Sequence, residues 1–338
     1  MECLPERNRW RSWVELCRSA FAASLLPLHT QDALVGTVFT YIANHTLCHQ
    51  RRRIAVKILV LGSGMMGSAS AYDLVRNDSV EKVIVADIDP KCAGSVADEM
   101  GEKAEARTID GTNKAQLKKA FQEVDAVVSA ISYNVNLLHT EVAIETGTHL
   151  CDLGGNFKVV ESQLELDSKA KDAGVIVVPD SGLAPGMVNV ITREAIEYLD
   201  RVESVKLRVG GLQQEPRPPL NYALIFSVEG LINEYKEPCM VLRNGQIKFE
   251  EPLVGFEEIT FPAPYGKLEA FNTSGGTSTL PLTYKGKIKD LDYKTIRYPG
   301  HGHKMWTLMK LGLMDGNSIK VDETEVVPRR VLETLLEK

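Results

Sequence analysis

The sequence predicts an α/β protein in two parts: a doubly wound parallel sheet, then an α+β domain containing a mixed sheet. Up to Pro179, short apolar runs alternate with stretches of helical periodicity, the rhythm of a parallel sheet covered on both faces. Beyond Pro179 that rhythm stops. Short alternating segments are then separated by Asn244-Gly245 and Pro262-Ala263-Pro264, turn chemistry suited to hairpins. A chain of 338 residues is also long for a single core.

The first predicted strand is the apolar run Lys57–Leu61. Gly62, Ser63, Gly64, Met65, Met66 and Gly67 follow at once, and then Ala69, Tyr72, Leu74 and Val75 recur at helical spacing, so the glycines occupy a strand-to-helix turn. A GxGxxG pattern alone is weak. In this context Gly62 permits the tight turn, Gly64 close approach of backbone to a pyrophosphate, and Gly67 close packing of the helix, whose N-terminus faces the phosphates. A second strand, Val83–Ala86, ends in Asp87, twenty residues after Gly67. That is the spacing of the acid that takes the adenosine ribose hydroxyls, and its charge repels a 2′-phosphate, so the pattern reads as a Rossmann site for NAD. The plainer reading, a glycine turn and an Asp that opens a loop, is outweighed by the combined pattern. Asp89 reads as the cap of a helix that begins at Pro90.

Further strands at Glu105–Ile109, Ala126–Ala130, His149–Asp152 and Val175–Val178 alternate with helices through Leu117–Phe121 and Val142–Glu145. Ligands of such sheets lie beyond the carboxyl ends of the strands, which puts Asp110, Ser129, Ala130 and Asp152 on the cofactor side. Asp110 is a candidate to flank the adenine, while Asp110-Gly111-Thr112-Asn113 serves equally as turn and cap chemistry.

An apolar share of 44% and a charged share of 25% are ordinary for a globular chain. A net charge of −6 with scattered basic residues lacks the footprint of a nucleic-acid binder, so the expected partner is a small molecule. No run reaches the roughly 18 apolar residues of a membrane span. The longest candidate, Ala33–Leu47, is broken by Gly36, Asn44 and several threonines. Six cysteines, Cys92, Cys151 and Cys239 among them, lack zinc-ligand spacing and suit a reducing cytoplasm, and no metal is expected. Residues 1–55 stand apart, with no lysine, seven arginines, two of the three tryptophans and half of the cysteines. An Arg-rich transit peptide is one reading, but Glu2, Glu6, Glu15 and Asp32 oppose it. The preferred reading is a translation start assigned too early, with Val56 as an initiator at a non-AUG codon.

From Val56 to about Leu313 the chain resembles the saccharopine dehydrogenase-like family. The resemblance is carried by Cys151–Asn156, Pro179–Asn189, Gly210–Leu212, Phe226–Tyr235, Leu268–Ser278 and Tyr293–His301, matches in order that are far more specific than the glycine pattern. It implies NAD-dependent oxidative deamination of the side-chain amine of lysine, the lysine 6-dehydrogenase reaction, giving an aldehyde that cyclises with the α-amine. Other members act on other amino acids. The domain plan expected is a NAD-binding domain over 56–180, a substrate and dimerisation domain over 181–313, and a C-terminal segment over 314–338 that in the family runs on further.

In the second part, Val205–Gly210, Tyr222–Phe226, Val241–Leu242, Ile247–Phe249 and Glu258–Phe261 read as strands of the mixed sheet, which suits a homodimer or higher homo-oligomer. Asp180–Gly186 is either a plain hinge or, as the resemblance favours, a loop that brings Gly182 and Leu183 to the nicotinamide ring. Pro185 would open the helix containing Val188, Ile191 and Ala195. The Ser274–Ser278 loop, Thr277 and Ser278 included, offers hydroxyls and turn amides to an anion, or is a flexible surface loop. An amino-acid substrate needs a cation for its carboxylate, and Arg297 is the candidate, with Tyr222 a further substrate contact. A lone histidine is more often structural, yet His301 stands near His303 in a matched segment and is the candidate base that neutralises the reacting amine. Asp152 and Asp180 are the alternatives. A rival enzyme reading is a saccharopine or carboxyspermidine-type reductase, for which arginines such as Arg208 and Arg217 would converge beside Arg297. A rival of another class is a non-catalytic NAD-binding sensor.

Overall fold

Along the first strand, β1 (Val56–Leu61), successive side chains leave on opposite faces, and the computed structural model, which describes residues 55–337, buries both. Ile58 and Val60 join Val83, Val85 and Val128 in one apolar cluster, while Leu59 and Leu61 join Ile84, Ala86 and Leu150 in another. This two-sided burial is why the strands read as unbroken apolar runs. The remaining strands are β2 (Val80–Asp87), β3 (Ala104–Thr108), β4 (Ala126–Ser129), β5 (His149–Asp152) and β6 (Val177–Val178). All pair in parallel in the order β3-β2-β1-β4-β5-β6, the doubly wound Rossmann order that reverses direction between β1 and β4. The helices between them are α1 (Met65–Val75), α2 (Pro90–Met100), α3 (Lys114–Phe121), α4 (Asn136–Thr146), α5 (Phe157–Leu164) and α6 (Asp167–Asp172). Asp89 caps α2 by accepting from the Lys91 amide, as the Asp89-Pro90 pair predicts. The expectations for residues 1–54, the translation start and the Ala33–Leu47 run among them, lie outside the described residues.

The described chain divides into two compact units, one ending at Ser181 and the other beginning at Gly182. The second unit opens with α7 (Met187–Glu197), β7 (Ser204–Val209) and α8 (Val228–Lys236), then β8 (Cys239–Arg243), β9 (Gln246–Glu250), β10 (Glu257–Thr260) and β11 (Lys267–Asn272). It continues with α9 (Leu280–Tyr284), β12 (Asp290–Arg297), α10 (His301–Lys310), the hairpin β13 (Ile319–Val321) and β14 (Thr324–Val326), and α11 (Pro328–Leu336). Its sheet is mixed: the path β10-β11-β12-β8-β9 is antiparallel, and β7 pairs in parallel with β12. Val228, Leu231, Ile232 and Tyr235 of α8 pack with Met305 of α10, Phe271 of β11 and Leu332 of α11.

Three expectations change. Tyr222–Phe226 forms no strand and pairs with none among the described residues. Its alternation is real, because Leu220, Tyr222, Leu224 and Phe226 all pack on the α8 cluster, but its Ala223 amide donates to the Gln213 side chain rather than to a neighbouring strand. Helix α7 begins at Met187 and not at Pro185, since Gly186 has φ +124, outside the helical region. The sequence reading also offers no strand at 267–272 or 290–297, yet β11 and β12 lie within the sheet path. β12 hides because it buries polar residues, Asp292, Thr295 and Arg297, where an apolar run is the usual sign of a central strand.

Candidate functional site

The turn between β1 and α1 is built around its glycines. Gly62 has φ +96, and a Cβ there would stand 2.7 Å from the Ala130 carbonyl oxygen. A Cβ on Gly67 would lie 1.8 Å from the Gly62 carbonyl oxygen, so helix and turn touch through bare backbone. Gly64 differs: a Cβ there would meet no protein atom within 4 Å, so the fold itself does not call for glycine at this position. Gly64 is the N-cap of α1, Met65 and Met66 open the helix, and no side chain caps it. An uncapped helix start preceded by bare backbone is chemistry that fits a phosphate.

Asp87 closes the turn from the tip of β2. Its carboxylate accepts from the Ser63 amide and hydroxyl, both at 2.8 Å, and from the Asp89 amide at 3.0 Å. Burial pushes the Asp87 carboxyl up, but these hydrogen bonds together outweigh it and hold the group below the usual carboxylate range. An ionised carboxylate therefore stands at the strand end. Ala130 contributes main chain, donating its amide to the Leu61 carbonyl at 2.8 Å. Ser129 is buried, and its hydroxyl contacts His139 Nδ1 at 3.0 Å while His139 Nε2 contacts the Gly111 carbonyl at 2.8 Å. A carbonyl can only accept, so Nε2 carries the proton and Ser129 donates to Nδ1. Burial lowers the His139 pKa and keeps the ring neutral. The pair ties the end of β4 to the loop of Asp110, whose carboxylate accepts from the amide and hydroxyl of Thr112, the turn role of its two readings.

Asp152 is fully buried, which lifts its carboxyl even though Gln163 Nε2 (2.7 Å), the Gly154 amide (2.8 Å) and the Asp180 amide (3.3 Å) all donate to it. These contacts tie the loops at 153–156 and 180–181 to the end of β5. Asp180 is buried with φ +56, its carboxylate packed against Gly154. In the second unit Gly182 bridges to Gly186 and accepts from the Met187 amide at 2.9 Å, and Leu183 is exposed.

A second constellation lies wholly within the second unit. Arg297, the last residue of β12, is only 3% exposed. Its Nε donates to the Tyr235 hydroxyl at 3.1 Å, its Nη1 to the Ile296 carbonyl at 3.0 Å, and its guanidinium carbon sits 4.5 Å from the centre of the Tyr222 ring. His301 opens α10 and contacts the Tyr235 hydroxyl through Nε2 and the Leu220 carbonyl through Nδ1, both at 2.9 Å. Again the carbonyl decides the tautomer: Nδ1 donates, Nε2 accepts from Tyr235, and Tyr235 accepts from Arg297. Burial drives the His301 pKa down to about 4. With both ring nitrogens engaged and the ring fully buried, His301 holds Tyr235 and through it Arg297. His303 is exposed and stacks on Phe256 with centroids 4.4 Å apart, away from this chain of contacts.

The Ser274–Ser278 loop is neither an exposed nest of amides nor a flexible surface segment. Ser274, Thr277 and Ser278 are buried, Ser274 donates to the Asn233 carbonyl and Thr277 to the Met240 carbonyl, and a Cβ on Gly276 would strike the Tyr293 ring at 2.4 Å. The residue that sequence reasoning missed is Glu234, whose Oε2 lies 4.0 Å from Arg297 Nη2. A signal was present: Glu234 follows Leu231 by three residues on a helix whose Val228, Leu231, Ile232 and Tyr235 are buried, so a charge flanks the apolar stripe. Among the described residues no group of His, Cys, Asp or Glu is placed to hold a metal ion, and no helix is long and apolar enough to cross a membrane.

Comparison with known proteins comes to the same two units. Residues 58–178 match the family model described as the saccharopine dehydrogenase NADP binding domain, and 182–338 match the saccharopine dehydrogenase C-terminal domain. The bovine mitochondrial alpha-aminoadipic semialdehyde synthase is 24% identical over 287 residues, 80% of this chain and 30% of that protein. The saccharopine dehydrogenase [NADP(+), L-glutamate-forming] of Pyricularia oryzae is 25% identical over 271 residues, 76% of this chain and 58% of that one. This chain thus spans about a third of the first relative's length and less than two thirds of the second's. The apo saccharopine dehydrogenase (L-Glu forming) of Saccharomyces cerevisiae shares the fold with a TM-score of 0.64 at 22% identity, over 78% of this chain and 60% of that one.

Proposed function

The chain belongs to the saccharopine dehydrogenase family, and on that premise we propose that it is a NAD-dependent oxidoreductase that oxidatively deaminates the side-chain amine of L-lysine. The products are aminoadipate semialdehyde, which cyclises to a piperideine carboxylate, and ammonia. The observation that carries the reading is Arg297. A buried guanidinium braced through Nε and Nη1 keeps the end of its fork for a ligand, and a substrate carboxylate is the group that matches a fork with two parallel hydrogen bonds.

The residues of the first unit fit a pyridine dinucleotide: Gly64 offers backbone that no protein atom crowds, and Asp87 offers an ionised acceptor to a ribose. The matched family model is described as NADP binding, whereas the Asp87 charge opposes a 2′-phosphate, and the proposal follows Asp87. When bound, the oxidised nicotinamide supplies the hydride acceptor. Hydride leaves the carbon beside nitrogen only if the amine is neutral, because its lone pair forms the imine that water then hydrolyses. Since His301 and Asp152 are engaged, the reading gives the amine's proton to solvent. The expected kcat/KM then climbs with pH towards the amine's own pKa of about 10, without levelling off near the histidine range.

A second reading, a saccharopine-type dehydrogenase, has the relatives' names behind it. It calls for a cation for a further carboxylate arm, and Arg208 is committed to Glu257 and Asp292 while Arg217 is exposed. The test is to supply NAD, and separately NADP, with a panel of amino acids that includes lysine and saccharopine, and to follow the reduced nucleotide by absorbance at alkaline pH. NADH from lysine alone supports the proposal, and reduction by saccharopine alone replaces it with the second reading. Dinucleotide binding without any turnover would point to a sensor.

A further inference from the structure

Glu234 is a carboxylate that the proposed function leaves without a task. It sits in the last turn of α8, and its backbone is fixed there: its carbonyl accepts from the Ser274 amide at 3.0 Å, and the Asn233 carbonyl accepts from the Ser274 hydroxyl at 3.2 Å. The Glu234 Oε2 to Arg297 Nη2 distance of 4.0 Å is too long for a hydrogen bond, so the two charges face each other without sharing a proton. Tyr222, Tyr235 and Tyr293 all lie within electrostatic reach of the pair. The two partners differ in access. The Glu234 side chain is 25% exposed and that of Arg297 3%, so the carboxylate is the more accessible of the two charges.

A separated positive and negative charge in a crowded site select the charge pattern of a ligand. A ligand with a carboxylate alone would satisfy Arg297 and set its own negative charge beside that of Glu234. A ligand with an ammonium alone would do the converse. A carboxylate and an ammonium on one carbon offset both protein charges and bring no net charge to the pair. Burial, opposed by Arg297, already lifts the Glu234 carboxyl to about 7, and an ammonium neighbour relieves that penalty.

We infer that Glu234 is a specificity-determining residue: with Arg297 it forms a clamp for the α-carboxylate and α-ammonium of one free amino acid, in preference to simple carboxylates and simple amines. The inference rests on the proposed substrate class and sharpens it, since it names the end of the substrate that is held and leaves the side-chain amine to react.

Calorimetric binding to the full chain in the presence of NADH, where no turnover occurs, tests it with four probes. Lysine and norleucine carry the zwitterion, ε-aminocaproate lacks the α-amine, and cadaverine lacks the carboxylate. The wild-type protein is expected to bind lysine and norleucine at least about 10-fold more tightly than the other two. Glu234→Gln is expected to weaken lysine and norleucine by about 10- to 100-fold and to leave ε-aminocaproate unchanged or tighter, with Glu234→Asp in between. The wild-type comparison needs no variant and stands even if Glu234→Gln misfolds. Equal wild-type affinity for lysine and ε-aminocaproate overturns the clamp, as does a folded Glu234→Gln variant that weakens all probes alike. Failure of the lysine reading looks different: another α-amino acid binds with Glu234-dependent discrimination while lysine does not, and the clamp stands. Binding of no amino acid at all overturns both.

Discussion

The first unit draws the groups of its candidate dinucleotide site from one β-α-β segment, Gly62 to Asp87, and makes most of them from main chain. The second unit assembles Tyr222, Glu234, Tyr235, Arg297 and His301 from a loop, the end of a helix, the end of a strand and the start of another helix, and makes its site from side chains. Backbone that must pass within van der Waals distance of backbone tolerates no added atom, whereas a side-chain cluster can lose a member and keep its shape. The two sites should therefore fail in different ways when altered.

The largest effect is expected at Gly67. Gly67→Ala puts a Cβ against the Gly62 carbonyl and should cost roughly 3 kcal/mol or more of stability along with dinucleotide binding, read by denaturant unfolding and NAD titration. Gly64→Ala sharpens the contrast: stability within about 0.5–1 kcal/mol of wild type, with NAD affinity weakened about 10-fold. Unfolding of both variants alike would erase the distinction between a glycine the fold requires and one it does not.

Next in size, Arg297→Lys should raise KM for the amino-acid substrate on the order of 100-fold and leave the NAD dissociation constant unchanged, because an ammonium cannot keep the fork, the Tyr235 contact and the Tyr222 stacking together. A parallel loss of NAD affinity would argue against separate tasks for the two units. Acid should then expose His301. Its folded pKa of about 4 lies below the ordinary 6.5, so between these values the unfolded chain takes up a proton that the folded chain refuses. Stability is thus intact above about 6.5 and falls as pH drops towards 4, by about 2–3 kcal/mol, and His301→Gln should flatten that part of the stability curve. The smallest effect concerns Asp87: Asp87→Asn should shift the ratio of the NAD and NADP dissociation constants about 10-fold towards NADP, and no change in that ratio would remove Asp87 from cofactor choice.

These contrasts match what could be read along the chain. The glycine turn, the Asp87 tip, the Asp89 cap and the two-faced parallel strands depend on neighbours within one segment. Arg297 stood out because an amino-acid substrate demands a cation. The contacts of His301 were not legible, because its partners, Tyr235 and the Leu220 carbonyl, are 66 and 81 residues away, and the tautomer they impose cannot be inferred from flanking residues. Ser274–Ser278 looked like an anion nest because hydroxyls and glycines have that composition, and only packing against Tyr293 and α8 turned those groups inward. β12 escaped notice because Arg208 and Arg243 pair with its buried Asp292 from β7 and β8, contacts that let a polar sequence form an interior strand.

Local sterics and short-range periodicity are written in consecutive residues, and so the sequence by itself determined the Rossmann strand-helix alternation, the strand-to-helix glycine turn and the position of Asp87. Burial, tautomer and charge separation belong to contacts between distant segments. Tertiary structure alone therefore decided that Asp152 and His301 hold other groups in place, that Tyr222–Phe226 has no strand to join, and that Glu234 faces Arg297 across 4.0 Å.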